Sequence, residues 1–187
     1  MPYSGEALTA DCYEGTTCLI NRLNIRDEKM LAAVEADITV AKTMTLVKDP
    51  LQGNFDFDHY KAIHRFLFED LYDWAGQIRT VNMSKKGTSF VKAEEIERIA
   101  ENCFQRLKTK QFFVGLSFDS FVDEIVDFYC TTNLLHPFRE GNGRTQKIFI
   151  CQLAENAGYH IDFNKMDADE LMVATIYAAQ GITDHLL

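Results

Sequence analysis

His136-Pro137-Phe138-Arg139-Glu140-Gly141-Asn142-Gly143-Arg144 stands between two stretches of helical hydrophobic spacing. Ahead of it, Phe118, Phe121, Ile125 and Phe128 recur at the three-to-four period of a helix, and behind it Ile148, Cys151 and Leu153 do the same before Gly158. Two glycines flanking an asparagine just before a helix start can turn successive backbone N–H groups towards one point, where the helix N-terminus adds partial positive charge. The segment therefore reads as an anion site on a helical frame. Arg144, in the first turn, offers a planar fork of donors for phosphate oxygens, and Lys147, three residues on, adds a cation on the same face. Glu140, directly ahead of the glycines, is a hard oxygen ligand of the kind that meets Mg²⁺ beside phosphates. His136, with an ordinary pKa near 6.5, can take a proton from an attacking hydroxyl. Base, metal ligand, anion cradle and cation in one loop suit phosphoryl or nucleotidyl transfer.

The rest of the chain supplies the frame. Asp27 reads as an N-cap for a helix carrying Leu31, Val34, Ile38 and Ala41 and reaching towards Lys48, where Asp49-Pro50 ends it. Phe57, Tyr60, Ile63, Leu67 and Leu71 predict a second helix that stops near Gly76. The period then changes: Ile78, Val81 and Met83, a Lys85-Lys86-Gly87 turn, and Ser89-Phe90-Val91 fit a short β-hairpin. Helical spacing resumes at Ile96, Ile99, Cys103 and Leu107, and a last helix is expected around Leu171, Ala174 and Ile176 or Tyr177, stopping at Gly181. The fold class is all-α with one hairpin. No Pro/Gly/Ser-rich linker, repeat or low-complexity stretch divides the 187 residues, so one domain over 1–187 is expected.

Composition excludes several roles. The formal net charge of −9 opposes a nucleic acid polymer or an anionic membrane as partner, and 47% hydrophobic with 12% aromatic residues is too apolar for a disordered chain. No apolar run approaches the length of a membrane span, and the first residues lack the basic and apolar regions of a signal peptide. The five cysteines, Cys12, Cys18, Cys103, Cys130 and Cys151, are scattered and form no C-x-x-C pair, which argues against a disulfide framework or structural zinc. They read as small buried hydrophobes in a reduced, cytoplasmic protein, with a translocated effector left open.

The loop resembles the signature of the Fic family, His-Pro-Phe-x-Asp/Glu-Gly-Asn-Gly-Arg-x-x-Arg, at every specified position through Arg144. Asp73-Trp74-Ala75-Gly76-Gln77-Ile78-Arg79 is similar to the family segment leading into its flap hairpin, and Asn21-Arg22-Leu23-Asn24-Ile25 also resembles the family. The resemblance implies a Fic-like helical core with residues 1–26 as an N-terminal extension packed on it, a flap hairpin over 77–92, and the active-site loop and helix start over 136–147. It implies transfer of AMP from ATP to a Ser, Thr or Tyr hydroxyl of a target protein. His136 would be the base and Glu140 would place Mg²⁺ on the phosphates. Gly141, Asn142 and Gly143 would form the anion hole, Arg144 and Lys147 would hold the phosphate tail, and Phe138 would anchor the loop in the core. Met83, Ser84, Lys85, Lys86, Gly87 and Thr88 would form the flap on which an extended target segment docks by strand addition. Family members with degenerate signatures move phosphate, other nucleotides or phosphocholine, so another donor is the alternative.

The chain departs from the signature at Lys147, which keeps the charge of the usual second Arg but loses its bidentate fork and is expected to weaken ATP binding modestly. Many Fic proteins are silenced by a helix carrying Ser/Thr-x-x-x-Glu. Ser120 and Glu124 have that spacing, but Phe121 and Ile125 place them on a core helix, and Thr175 is followed at the fourth position by Ala179. The chain thus resembles the group whose inhibitory helix sits on a separate small antitoxin, which makes an antitoxin a candidate partner and a toxin module the second reading; a homo-oligomer is a third. His59 and His64 read as surface or helix-packing residues, Trp74 as a packing residue, and Lys85 with Lys86 as a solvated turn that could also steer ATP or an acidic target. The acidity lies elsewhere in the chain: between positions 77 and 92 there are four cations and no acid, and between 133 and 150 three cations face Glu140.

Overall fold

The computed structural model describes residues 11–85 and 88–166. Five helices carry the fold: α1 Glu28–Lys48, α2 Phe57–Phe68, α3 Ile96–Thr109, α4 Phe118–Leu135 and α5 Asn142–Asn156. Between α2 and α3 lies an antiparallel hairpin, β1 Ser84–Lys85 and β2 Thr88–Ser89, with Ser84 opposite Ser89 and Lys85 opposite Thr88. Residues Lys86 and Gly87, and the helix expected around Leu171 to Gly181, lie outside the described residues. No helix among the described residues is long and apolar enough to cross a membrane.

Local sequence sets the helix starts. Asp27, Asp56 and Ser117 cap α1, α2 and α4 by accepting from Met30, His59 and Ser120 backbone N–H groups, each satisfying a donor that the helix itself leaves open. The core is aromatic. Phe149 of α5 meets Tyr60 edge-on at 5.3 Å and Phe104 at 5.6 Å, and stacks against Phe128 at 5.8 Å, so one ring joins α2, α3 and α4. Each buried side chain of this size contributes about 1.5–3 kcal/mol.

Two expectations change. α2 ends at Phe68 and not near Gly76. Leu71 and Tyr72 are still buried, but their N–H groups both return to the Phe68 carbonyl, and the Leu71 carbonyl accepts from Arg22 N–H at 2.8 Å. The N-terminal segment thus takes the acceptor that a continuing helix would use. On α1, Ala41 is exposed, whereas the buried face carries Glu35 and Thr39 beside Leu31 and Leu46. The hydrophobic pattern missed these because they are polar; their partners lie on other elements.

Cys12, Cys18 and Cys103 are buried, Cys130 and Cys151 partly so, and all five are free thiols. Glu124 is ion-paired with Lys110, and Ser120 lies exposed in the first turn of α4. The N-terminal segment is pinned by Asn21, whose side chain bonds the backbone of Leu19 and Ile25, and by Asp11, which pairs with Arg139 at 3.0 Å.

Candidate active site

The loop between α4 and α5 is bounded by two left-handed residues. His136 ends α4 at φ 42° and ψ 59°, and Gly141 opens α5 at φ 76° and ψ 7°. A left-handed histidine is strained, and here it is braced. The His136 carbonyl accepts from Arg79 Nε at 2.8 Å, and Arg79 N–H donates to the Pro137 carbonyl at 2.9 Å. Asn142 closes the loop from inside, its side chain accepting from Phe138 N–H at 2.8 Å and donating to the Phe138 carbonyl at 2.7 Å. The Asn142 side chain is thereby committed to shaping the loop. Phe138 is fully buried and stacks on His64 at 3.8 Å.

His136 is 7% exposed, and its Nδ1–H donates to the Asn133 carbonyl at 3.1 Å, which fixes the tautomer with the proton on Nδ1. Phe90, just beyond β2, lies flat on the imidazole at 3.7 Å. Burial lowers the His136 pKa to about 3, the bond to Asn133 opposes this, and the cations Arg79 and Lys85 add to it.

At the other end of the loop, α5 presents the N–H groups of its first turn, and a Cβ at Gly143 would meet nothing within 4 Å. Glu140 accepts from Gly141 N–H at 2.9 Å through Oε1, and the same oxygen lies 3.7 Å from Arg144. Arg144 donates to Glu35 and, at 3.1 Å, to Thr39, with its guanidinium 4.8 Å over the Phe68 ring. Lys147 lies 5.4 Å over the Phe163 ring, on a different neighbour from Arg144. In the flap, Met83 is buried and its carbonyl accepts from Phe90 N–H, so only its backbone belongs to the hairpin surface.

Three residues that pattern reading passed over hold this geometry. His64 is fully buried, accepts from Gly76 N–H through Nδ1 at 2.8 Å, and donates from Nε2 to the Glu140 carbonyl at 3.0 Å. Of its two expected settings, surface or helix-packing, it takes the second, stacked on Phe68 and Phe138. Its signal was present, since Tyr60, Ile63, His64 and Leu67 follow helical core spacing with a polar member. Glu35 sits at an equally buried polar position. Arg79 spans three backbone carbonyls, of His136, Val81 at 2.6 Å and Val91 at 2.5 Å, tying the segments on both sides of the hairpin to the loop. A lysine cannot reach three separated acceptors. Arg79→Lys is expected to lose roughly 2–3 kcal/mol of stability through the carbonyls left unpaired; an unchanged denaturant midpoint would contradict this role.

The buried histidines also predict an acid sensitivity. Burial lowers His64 to about 4 from an ordinary 6.5 and also lowers His59. Above about pH 6.5 the folded and unfolded chains both hold these rings neutral, so their full stabilisation is present; below it the unfolded chain binds protons that the native one refuses, and stability falls towards the folded pKa values. Thermal melts should shift down progressively between about pH 6.5 and 4, and less so in His64→Gln; a flat profile would contradict the assignment.

A protein-family model described as the Fic/DOC family matches residues 54–154. The chain is 38% identical over 169 residues to a protein adenylyltransferase, VbhT, of Bartonella schoenbuchensis, covering 90% of this chain and 35% of that protein. It is 34% identical over 177 residues to a probable protein adenylyltransferase Fic of Escherichia coli, covering 95% and 88%. The chain therefore spans about a third of the first relative and most of the second. Among solved structures, BepC of Bartonella tribocorum, a VirB-translocated effector with bound AMPPNP, superposes with a TM-score of 0.88 at 27% identity, covering 95% of this chain and 92% of that one. A Fic domain from Bartonella quintana with bound ADP gives 0.90 at 28% identity, covering 95% and 90%.

Proposed function

The chain belongs to the Fic/DOC family, and on that footing we propose that it is a protein adenylyltransferase that moves AMP from ATP to a Ser, Thr or Tyr hydroxyl of a target protein. The observation that carries this reading is the single loop in which the His136 imidazole, its Nδ1–H held by the Asn133 carbonyl, and the first turn of α5 stand on either side of Glu140. His136 Nε2 takes the proton of the target hydroxyl as its oxygen attacks the α-phosphorus. A P–O bond forms, the bond from the α-phosphorus to the bridging oxygen breaks, and pyrophosphate leaves. The α5 amides and Arg144 carry the phosphate charge. Bound phosphates also raise the proton affinity of His136, so its low pKa in the free protein does not disable it.

Mg²⁺ is the cofactor of this reading. Among the described residues no three His, Cys, Asp or Glu side chains converge to hold a metal by themselves; one partly exposed carboxylate at the α5 N-terminus fits an ion that takes its other oxygens from phosphates and water. Glu140 would hold it, and it would supply charge neutralisation on the departing pyrophosphate. Ser84–Lys85 and Thr88–Ser89 offer the backbone edge for a target strand. The test is incubation with ATP labelled at the α-phosphate, Mg²⁺ and a cell lysate: label enters a protein, a chelator removes the signal, and GTP, UTP or CDP-choline compete poorly. No label on any protein, this one included, would sink the reading. Lys147→Arg is expected to tighten ATP binding a few-fold by restoring a bidentate donor; an unchanged affinity would remove Lys147 from the site.

A cytoplasmic site of action is the reading, and relatives described as VirB-translocated effectors support a translocated one beside it. A toxin module held by a small antitoxin is favoured by one observation: Met30, Val40, Met44 and Val47 are exposed at helical spacing along the outer face of α1. Co-purification of a small protein carrying Ser/Thr-x-x-x-Glu, lost on Met44→Glu, would establish it.

A further inference from the structure

We infer that Glu35 of α1, held by Tyr72, is the positioning residue for Arg144, so that a helix outside the region matched by the family model completes the phosphate site. The inference rests on the reading of Arg144 as a ligand of the ATP phosphate tail. α1 spans Glu28–Lys48, whereas the family match covers residues 54–154.

Glu35 is 8% exposed. Its two carboxylate oxygens have separate partners: Arg144 donates to one, and the Tyr72 hydroxyl donates to the other at 2.5 Å. Tyr72 is itself fixed, stacked on Trp74 at 4.3 Å. One turn along α1, the Thr39 hydroxyl donates to the Glu35 carbonyl at 2.7 Å and accepts from Arg144 at 3.1 Å. Phe68 of α2 lies under the guanidinium at 4.8 Å. The plane and the rotation of the guanidinium are thus both set by residues of α1 and α2. Two of its N–H groups are spent on this cradle, and the others remain for an anion.

Stability does not account for the arrangement. A buried ion pair gains little over an apolar pair of the same size, because desolvating both charges offsets their attraction. What a fully satisfied carboxylate adds is direction: a long, rotamer-rich side chain is held in one pose before the ligand arrives, which removes an ordering cost from binding. Glu35 also differs from a competitor for Arg144. Its second oxygen is occupied by Tyr72 from a separate loop, so it is anchored independently of Arg144 and need not leave when phosphate binds.

Direct binding of nucleotide to the purified protein, without any target, tests this. Glu35→Gln preserves volume and is expected to weaken ATP about tenfold, the worth of one charge-assisted hydrogen bond, while AMP, which lacks the tail, changes less than about twofold. Tyr72→Phe should weaken ATP in the same direction by a smaller factor, and serves if Glu35→Gln folds poorly. In an Arg144→Ala background, Glu35→Gln should have no further effect. Glu35→Gln that leaves ATP binding unchanged or tightens it, while Arg144→Ala weakens it, overturns the positioning role and leaves the Arg144 reading intact. Arg144→Ala that binds ATP like the parent overturns both. Equal losses for ATP and AMP would mean general unfolding of the site and would also overturn the proposal.

Discussion

Replacing His136 with alanine is expected to cut AMP transfer by about 10²–10⁴-fold while leaving ATP affinity close to that of the parent protein. The size follows from the loss of a general base. The selectivity follows from the geometry: the groups proposed to bind phosphate are the first turn of α5 and Arg144, which is held by α1 and α2, whereas His136 ends α4 and its ring touches Asn133 and Phe90. Alanine in the left-handed region costs roughly 1–2 kcal/mol, so His136→Asn is the companion variant, since asparagine tolerates that backbone without supplying a base. Initial rates with labelled ATP, set beside equilibrium ATP binding, measure both. Transfer within tenfold of the parent in either variant would move the base elsewhere.

Gly141→Ala carries the second large effect, through backbone geometry and not through chemistry. A Cβ at Gly141 would lie 2.2 Å from two ring carbons of Phe68, at a residue already committed to φ 76°. The ring has nowhere to go, being fully buried, stacked on His64 at 4.7 Å and covered by Arg144. Overpacking and backbone strain together should remove about 2–4 kcal/mol of stability. The loop must shift to relieve the clash, and a displacement of about 1 Å at reacting groups costs on the order of 10²-fold in rate. Gly143→Ala is the contrast: its Cβ would meet nothing, so its melting temperature should not fall. Equal melting temperatures for Gly141→Ala and the parent would show that the cradle is not rigid.

Both variants sit in a segment whose local geometry, a loop leading into a helix start, was legible in the residues themselves. A glycine pair before a helix start, a carboxylate, a histidine and an arginine within a few positions state a local geometry and a local chemistry together, because the anion cradle is made from consecutive backbone groups. The same holds for the cap at Asp27 and for the aromatic stripes that build the core. The second helix was overextended because distant donors take the carbonyls a longer helix would use: Lys42 bonds the Phe66 carbonyl at 2.7 Å and Arg22 N–H the Leu71 carbonyl at 2.8 Å, and both lie far away in the chain.

The loop before α5, its helical frame and the hairpin were determined by the sequence alone, since each depends on neighbours within a few residues. Only the tertiary structure assigned Glu35, His64 and Arg79. Each is a polar side chain on a buried face, and burial of polar groups is tolerated only where partners meet them. Those partners are Arg144, the Glu140 carbonyl, and the carbonyls of His136, Val81 and Val91. Hydrophobic periodicity reports which face is buried but carries no record of what a polar residue there will meet, because that meeting exists only once distant segments are packed together.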